Sequence, residues 1–142
     1  MSQKKALSFV EITSALRSLH LPQVDVVVGI GRGGIVPASL VASKLGCELH
    51  IVRVNYRDDD NKPVRPTPTF LEDVSFSLPA NTRILLVDDV SVTGKTLTAV
   101  QERLDGFNVQ TFVMKGKGDY VLFPDIKTCV QWPWHEKPVQ LV

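Results

Sequence analysis

Hydrophobic positions along this chain switch repeatedly between a helical and a strand-like pattern. Phe9, Ile12, Leu16 and Leu19 recur at helical spacing. Ser8 precedes them and Glu11 follows three residues on, the spacing of a capping box, and Pro22 ends the segment. Val24 to Ile30, interrupted only by Asp25, is an apolar run, as expected of a strand covered on both faces. Ile35 to Leu45 reads as a helix closed by Gly46. Further strands are predicted over Glu48 to Tyr56, Ile84 to Val87, Val109 to Met114 and Tyr120 to Phe123. Between the strands Ile84 to Val87 and Val109 to Met114 lies a helix with Leu97, Val100 and Leu104 turned inward, stopping near Gly106. Arg57 to Pro68 is charged and proline-rich with no apolar period, so it reads as a loop. Thr69 to Phe76 fits an irregular strand or hairpin arm, and the tail from Thr128 to Val142 has no readable period.

Strands alternating with helices predict an α/β fold: one domain over residues 1–142, with a parallel sheet and helices on both faces. Ligands in such folds gather at the carboxyl ends of the strands. Three segments fall there: the glycine-rich loop after Ile30, the acidic stretch after Val87, and the residues after Met114.

The richest of these is Arg83 to Leu97, RILLVDDVSVTGKTL. An apolar strand runs into two adjacent carboxylates, Asp88 and Asp89, and Thr93-Gly94-Lys95-Thr96 then opens a helix. A helix N-terminus carries free N–H groups and the positive end of the dipole, so it suits phosphate. Carboxylates repel phosphate but suit a diol or a phosphate-bound Mg²⁺. One short stretch thus offers a ribose site and a phosphate site. A purely structural reading, an acidic strand end followed by a capped helix, explains each residue but not their order.

Two other motifs fail on context. Gly94-Lys95-Thr96 could end a P-loop, but the glycine required five positions earlier is Asp89. Gly29-Ile30-Gly31-Arg32-Gly33-Gly34 is a literal G-x-G-x-x-G, yet the next strand ends in Arg53, Val54 and Asn55 rather than an acid for a dinucleotide ribose.

The Asp88 to Thr96 stretch resembles the 5-phosphoribosyl 1-diphosphate (PRPP) signature of the type I phosphoribosyltransferases, and the chain is closest in style to their xanthine-guanine branch. The resemblance implies that fold, with a small C-terminal hood. It implies that Asp88 and Asp89 are the catalytic carboxylates, holding the ribose hydroxyls directly or through Mg²⁺, and the metal ligands. Val92, Thr93, Gly94, Lys95 and Thr96 would bind the 5′-phosphate. Arg32 and Gly33, in the run Arg32-Gly33-Gly34 with Pro37 beyond, would bind pyrophosphate, with strained backbone near Gly31-Arg32 and a non-proline cis peptide as in relatives. Lys115 would donate to the exocyclic oxygen of a 6-oxopurine.

The tail carries the hood resemblance. Pro133-Trp134 matches a Pro-Trp pair of that branch, which aligns Val130 with the backbone carbonyl that reads the base edge. The same alignment puts Cys129 where an aromatic residue should stack on the base, so Trp132 is the candidate to supply that face, or else packs in the tail. A second departure is Val92, which stands where most 6-oxopurine enzymes have an aspartate beside purine N7. The loop 57–68 falls where relatives carry a lid over PRPP; a plain solvated loop is the other reading.

Composition then narrows the class. With 44% hydrophobic and 22% charged residues among 142, the chain has material for a core. A net charge of +1 gives no strong field toward nucleic acid or an anionic membrane, so neither is an expected partner. No apolar run approaches the ~20 residues of a membrane span, and the start MSQKKALSFV lacks a signal-peptide core. Cys47 and Cys129 have no metal-type spacing and read as buried free thiols of a reducing compartment. The expected location is the cytoplasm.

The implied activity is transfer of the phosphoribosyl group from Mg²⁺-bound PRPP to a free nucleobase, a purine, giving a nucleoside monophosphate and pyrophosphate, as in nucleotide salvage. A homo-oligomer, dimer or tetramer, is expected. The alternative is a non-catalytic PRPP- or nucleotide-binding regulatory protein of the same fold.

Overall fold

The computed structural model describes residues 5–55, 69–70 and 77–135. Its elements in chain order are β1 (Lys5–Ala6), α1 (Phe9–Ser18), β2 (Val26–Gly31), α2 (Ile35–Leu45), β3 (Glu48–Asn55), β4 (Thr69–Phe70), β5 (Arg83–Ser91), α3 (Lys95–Arg103), β6 (Asn108–Gly116), β7 (Tyr120–Val121), β8 (Val130–Gln131) and a 3₁₀ turn, Pro133–His135. The loop expected over 57–68, Tyr56 and most of the arm expected over Thr69 to Phe76 lie outside the described residues.

Alternation along the central strands builds two cores. Val27, Leu85, Val87, Phe112 and Met114 pack with Ile12 and Leu16 of α1 and with Ala38, Val41 and Ala42 of α2. Their neighbours Val26, Val28, Ile84, Leu86 and Val113 pack on the other face with Leu97, Val100 and Leu104, on α3 and at its end. Side chains of a strand point alternately to its two faces, so continuous apolar runs are what a sheet covered on both sides demands.

The sheet order is β4-β3-β2-β5-β6-β7. All neighbours run parallel except β4, which is antiparallel to β3. From β2 the chain crosses through α2 to β3 on one side; from β5 it crosses through α3 to β6 on the other. The direction of winding therefore reverses between β2 and β5. In open α/β sheets the carboxyl ends of the two strands at such a point frame the ligand crevice.

Three differences from the sequence reading bear on the site. The third predicted strand does not stop at Val87. Its pairing with β2 ends at Gly29–Val87, but β6 continues to pair with it through Ser91–Gly116. The acidic pair is thus inside a strand held on one side only. Asp88 Oδ1 accepts the Asp89 N–H at 2.8 Å and Asp89 Oδ1 the Val90 N–H at 2.7 Å, so two backbone donors are satisfied locally by the acids themselves. By the same ladder β6 extends to Gly116, which places Lys115 in the strand rather than after it. The third difference is β1, which pairs parallel with β8 in a separate two-stranded sheet and leaves no periodic signal at two residues each.

Candidate active site

Where β2 and β5 part, their two loops meet. Beyond β2, residues 32–34 form a tight turn in which Gly34 N–H donates to the Ile30 carbonyl at 2.7 Å. The Gly31–Arg32 peptide is cis. Gly33 lies directly against Asp89: a Cβ on it would overlap the carboxylate, 2.6 Å from Cγ and 2.7 Å from Oδ1. Only glycine permits this approach. The two motifs, some fifty residues apart in sequence, thus form one surface. Arg32 is exposed on its rim.

Asp88 is 8% exposed and Asp89 half-buried. Past them the chain emerges: Val92 is 55% exposed, Thr93 and Lys95 are exposed, and Gly94 and Thr96 half-buried. Gly94 is the N-cap of α3, with φ +83°, a backbone conformation that favours glycine. Thr93 Oγ1 accepts the Lys95 N–H at 3.3 Å. Residues 93–96 therefore present a helix N-terminus at the crevice, as phosphate binding requires.

On the far side of β5, Lys115 is half-buried and in register with Val90, and its side chain makes no hydrogen bond or ion pair among the described residues. Its three ammonium donors are therefore open to an acceptor on a bound ligand. The hood stands next in the chain. Lys5 N–H donates to the Cys129 carbonyl at 2.8 Å and Leu7 N–H to that of Gln131 at 3.2 Å. Successive carbonyls of a strand face opposite edges, so that of Val130, between them, points away from β1.

Two expectations fail here. Trp132 does not offer a face to a base. It is 2% exposed, packed in the core with Leu7, Ile12 and Leu122, and stacked on Trp134 with ring centroids 5.4 Å apart and planes 2° apart. The hood needs an apolar anchor, and an indole supplies more buried area than any other side chain. Cys129 is exposed rather than buried, and it is its backbone carbonyl that joins the β1 pairing. Cys47 is partly buried, and burial pushes its thiol pKa up. Periodicity gives no sign that Lys5 and Leu7 contribute to this end; the one signal is Leu7 preceding the capping-box serine, with Ile12 at the spacing of a hydrophobic staple.

Among the described residues no group of three or more metal-ligating side chains is gathered. Two adjacent carboxylates without a third donor do fit an ion that keeps its waters and takes its other ligands from substrate oxygens, as Mg²⁺ does with phosphates.

The fold, the crevice and the order of its parts define a phosphoribosyltransferase: residues 5–141 match the phosphoribosyl transferase domain, and the chain belongs to that family of enzymes, in its type I fold. A xanthine-guanine phosphoribosyltransferase of Idiomarina loihiensis is 28% identical, over 84% of this chain and 76% of that protein. The crystal structure of a purine phosphoribosyltransferase from Pyrococcus horikoshii superposes with a TM-score of 0.76 at 27% identity, covering 98% of this chain and 99% of that one. A xanthine-guanine-hypoxanthine phosphoribosyltransferase of Helicobacter pylori shares the fold at 14% identity and a TM-score of 0.72, covering 94% of each chain. No helix among the described residues is long and apolar enough to cross a membrane.

Proposed function

We propose that this enzyme transfers the 5-phosphoribosyl group of PRPP to a 6-oxopurine, releasing pyrophosphate and a nucleoside monophosphate. The observation that carries the reading is the contact of Gly33 with Asp89, which joins an anion-binding loop to a diol- and metal-binding pair. Thr93, Gly94, Lys95 and Thr96 hold the 5′-phosphate, largely by backbone N–H groups. Asp88 and Asp89 hold the ribose hydroxyls, and would hold Mg²⁺, which when bound neutralises the departing pyrophosphate. Arg32 and the Gly33 backbone receive that pyrophosphate. The base nitrogen attacks C1′ as the C1′–O bond to pyrophosphate breaks, and the imidazole proton of the base passes to water, since Val92 offers no acceptor. The protein's part is alignment of these groups and stabilisation of charge at the leaving oxygens.

Lys115 donates to the exocyclic oxygen of the base and the Val130 carbonyl accepts from its edge. That assignment distinguishes oxopurines from adenine, which presents an amino donor to the ammonium. The enzyme works in the cytoplasm as a homo-oligomer, with neither nucleic acid nor membrane as partner. Light scattering of the purified protein tests the oligomer.

A screen of free bases with Mg²⁺ and PRPP, scored by pyrophosphate release, tests the function. Hypoxanthine, guanine or xanthine should react in preference to adenine and pyrimidines, and Lys115→Ala should erase the preference. Turnover of adenine or a pyrimidine alone overturns the base assignment.

A further inference from the structure

Segment 5–9 meets the hood through Lys5, Ala6, Leu7 and Phe9. The N–H groups of Lys5 and Leu7 donate to the carbonyls of Cys129 and Gln131, at 2.8 and 3.2 Å. Lys5 is in register with Val130 and Ala6 with Gln131. Leu7 is buried in the same cluster as Trp132, and the Phe9 ring lies 6.1 Å from that of Trp134. The Ser8–Glu11 capping box, with both reciprocal bonds at 3.1 Å, fixes where this segment turns into α1. A two-residue strand pair is not stable by itself, so the position of the hood depends on these combined contacts.

The direction of the backbone gives the pairing a purpose. The carbonyls on either side of Val130 are consumed by the amino-terminal segment, and the one left pointing away from β1 is that of Val130. We infer that the amino-terminal segment is a clamp that positions the Val130 carbonyl for the base, with the Lys5 backbone N–H as its principal positioning group. This rests on the reading of Val130 as a base contact. The Lys5 side chain is exposed, so the role belongs to its main chain alone.

That distinction makes the clamp testable. Proline is tolerated at the first residue of a strand but has no N–H to give. Lys5→Pro therefore deletes one hydrogen bond, and Lys5→Ala keeps it. Ala6→Pro is the matched control, because the Ala6 N–H faces the opposite edge. Three quantities are read: KM for guanine against KM for PRPP, the Kd of GMP without turnover, and tryptophan fluorescence. The chain has two tryptophans, Trp132 and Trp134, so the emission reports on the hood alone.

Lys5→Pro should raise KM for guanine and Kd for GMP about tenfold, the effect of one lost hydrogen bond at the strong end of its range. Its emission should shift to the red, and KM for PRPP should stay put. Lys5→Ala and Ala6→Pro should match the wild type. The clamp is overturned if Lys5→Pro leaves guanine and GMP binding unchanged, if Ala6→Pro produces the same loss, or if PRPP affinity falls equally. Those outcomes in an active wild type sink the clamp alone. A wild type that neither uses guanine nor binds GMP sinks the reading of Val130, and the clamp with it.

Discussion

The Asp89 carboxylate occupies the space that a side chain at residue 33 would need. This single contact joins the loop after β2 to the acidic end of β5 at the point where the sheet reverses its winding. It accounts for glycine at 33 without appeal to a special backbone angle.

The first prediction follows from it. Gly33→Ala must push Asp89 off its position, and a displacement of about 1 Å at a reacting centre can cost about a hundredfold in rate. kcat/KM for PRPP should fall by that order while far-UV circular dichroism is retained. Asp89→Ala removes the obstruction, so Gly33→Ala should add little in that background. Steady-state kinetics on the two single variants and the double variant measure the coupling; strict additivity would show that the contact has no role.

Trp132 gives a prediction about stability rather than base binding. It is buried and stacked on Trp134. Trp132→Ala should cost about 3–5 kcal/mol, as large-to-small changes of buried aromatics do. Denaturant unfolding checks this. A variant of unchanged stability that had lost only guanine affinity would restore Trp132 to the base site.

Val92 is 55% exposed on the turn that leads into α3, so a carboxylate there displaces no core packing. A positioned proton acceptor contributes roughly 10²–10⁴-fold. In Val92→Asp the new charge lies beside the proposed phosphate site, which opposes the gain. Turnover of hypoxanthine or guanine should rise about tenfold, below the usual range for such groups, and a new ionisation should enter the pH profile. No faster turnover in a variant that folds and binds PRPP would mean that the base does not present its nitrogen to residue 92.

The pair Asp25–Arg83 bears on acid stability. The Asp25 carboxylate accepts the Arg83 backbone N–H at 2.8 Å, Nε–H at 3.2 Å and Nη2–H at 3.0 Å. The Arg83 side-chain bonds, then its backbone N–H, hold the Asp25 pKa below its ordinary value of 3.8. A carboxylate with a lowered folded pKa stabilises the fold above its unfolded value, and that stabilisation is lost as pH falls through the folded one. Asp25→Ala should therefore lower Tm at neutral pH, and the difference from wild type should shrink below pH 3.8. The pair is solvent-exposed, so the effect is small. A Tm difference that grows on acidification contradicts the assignment.

Much of this molecule is determined by the sequence alone, because its information there is local. Periodicity places α1, α2, α3 and the central strands within a few residues, since a buried strand must be apolar throughout and a half-buried helix must repeat every three or four residues. The order of acids, threonine and glycine in Asp88 to Thr96 likewise carries the resemblance to the phosphoribosyltransferase family, which the match over residues 5–141 bears out. What only the tertiary structure decided are relations between distant segments. Asp88 and Asp89 continue a strand because β6 pairs with them, and nothing near them in sequence shows that. Trp132 goes into the core rather than over a base because Leu7, Phe123 and Trp134 surround it. The two-residue partners β1 and β8 are too short to carry a period, so their pairing exists only once the sheet brings the two ends of the chain together.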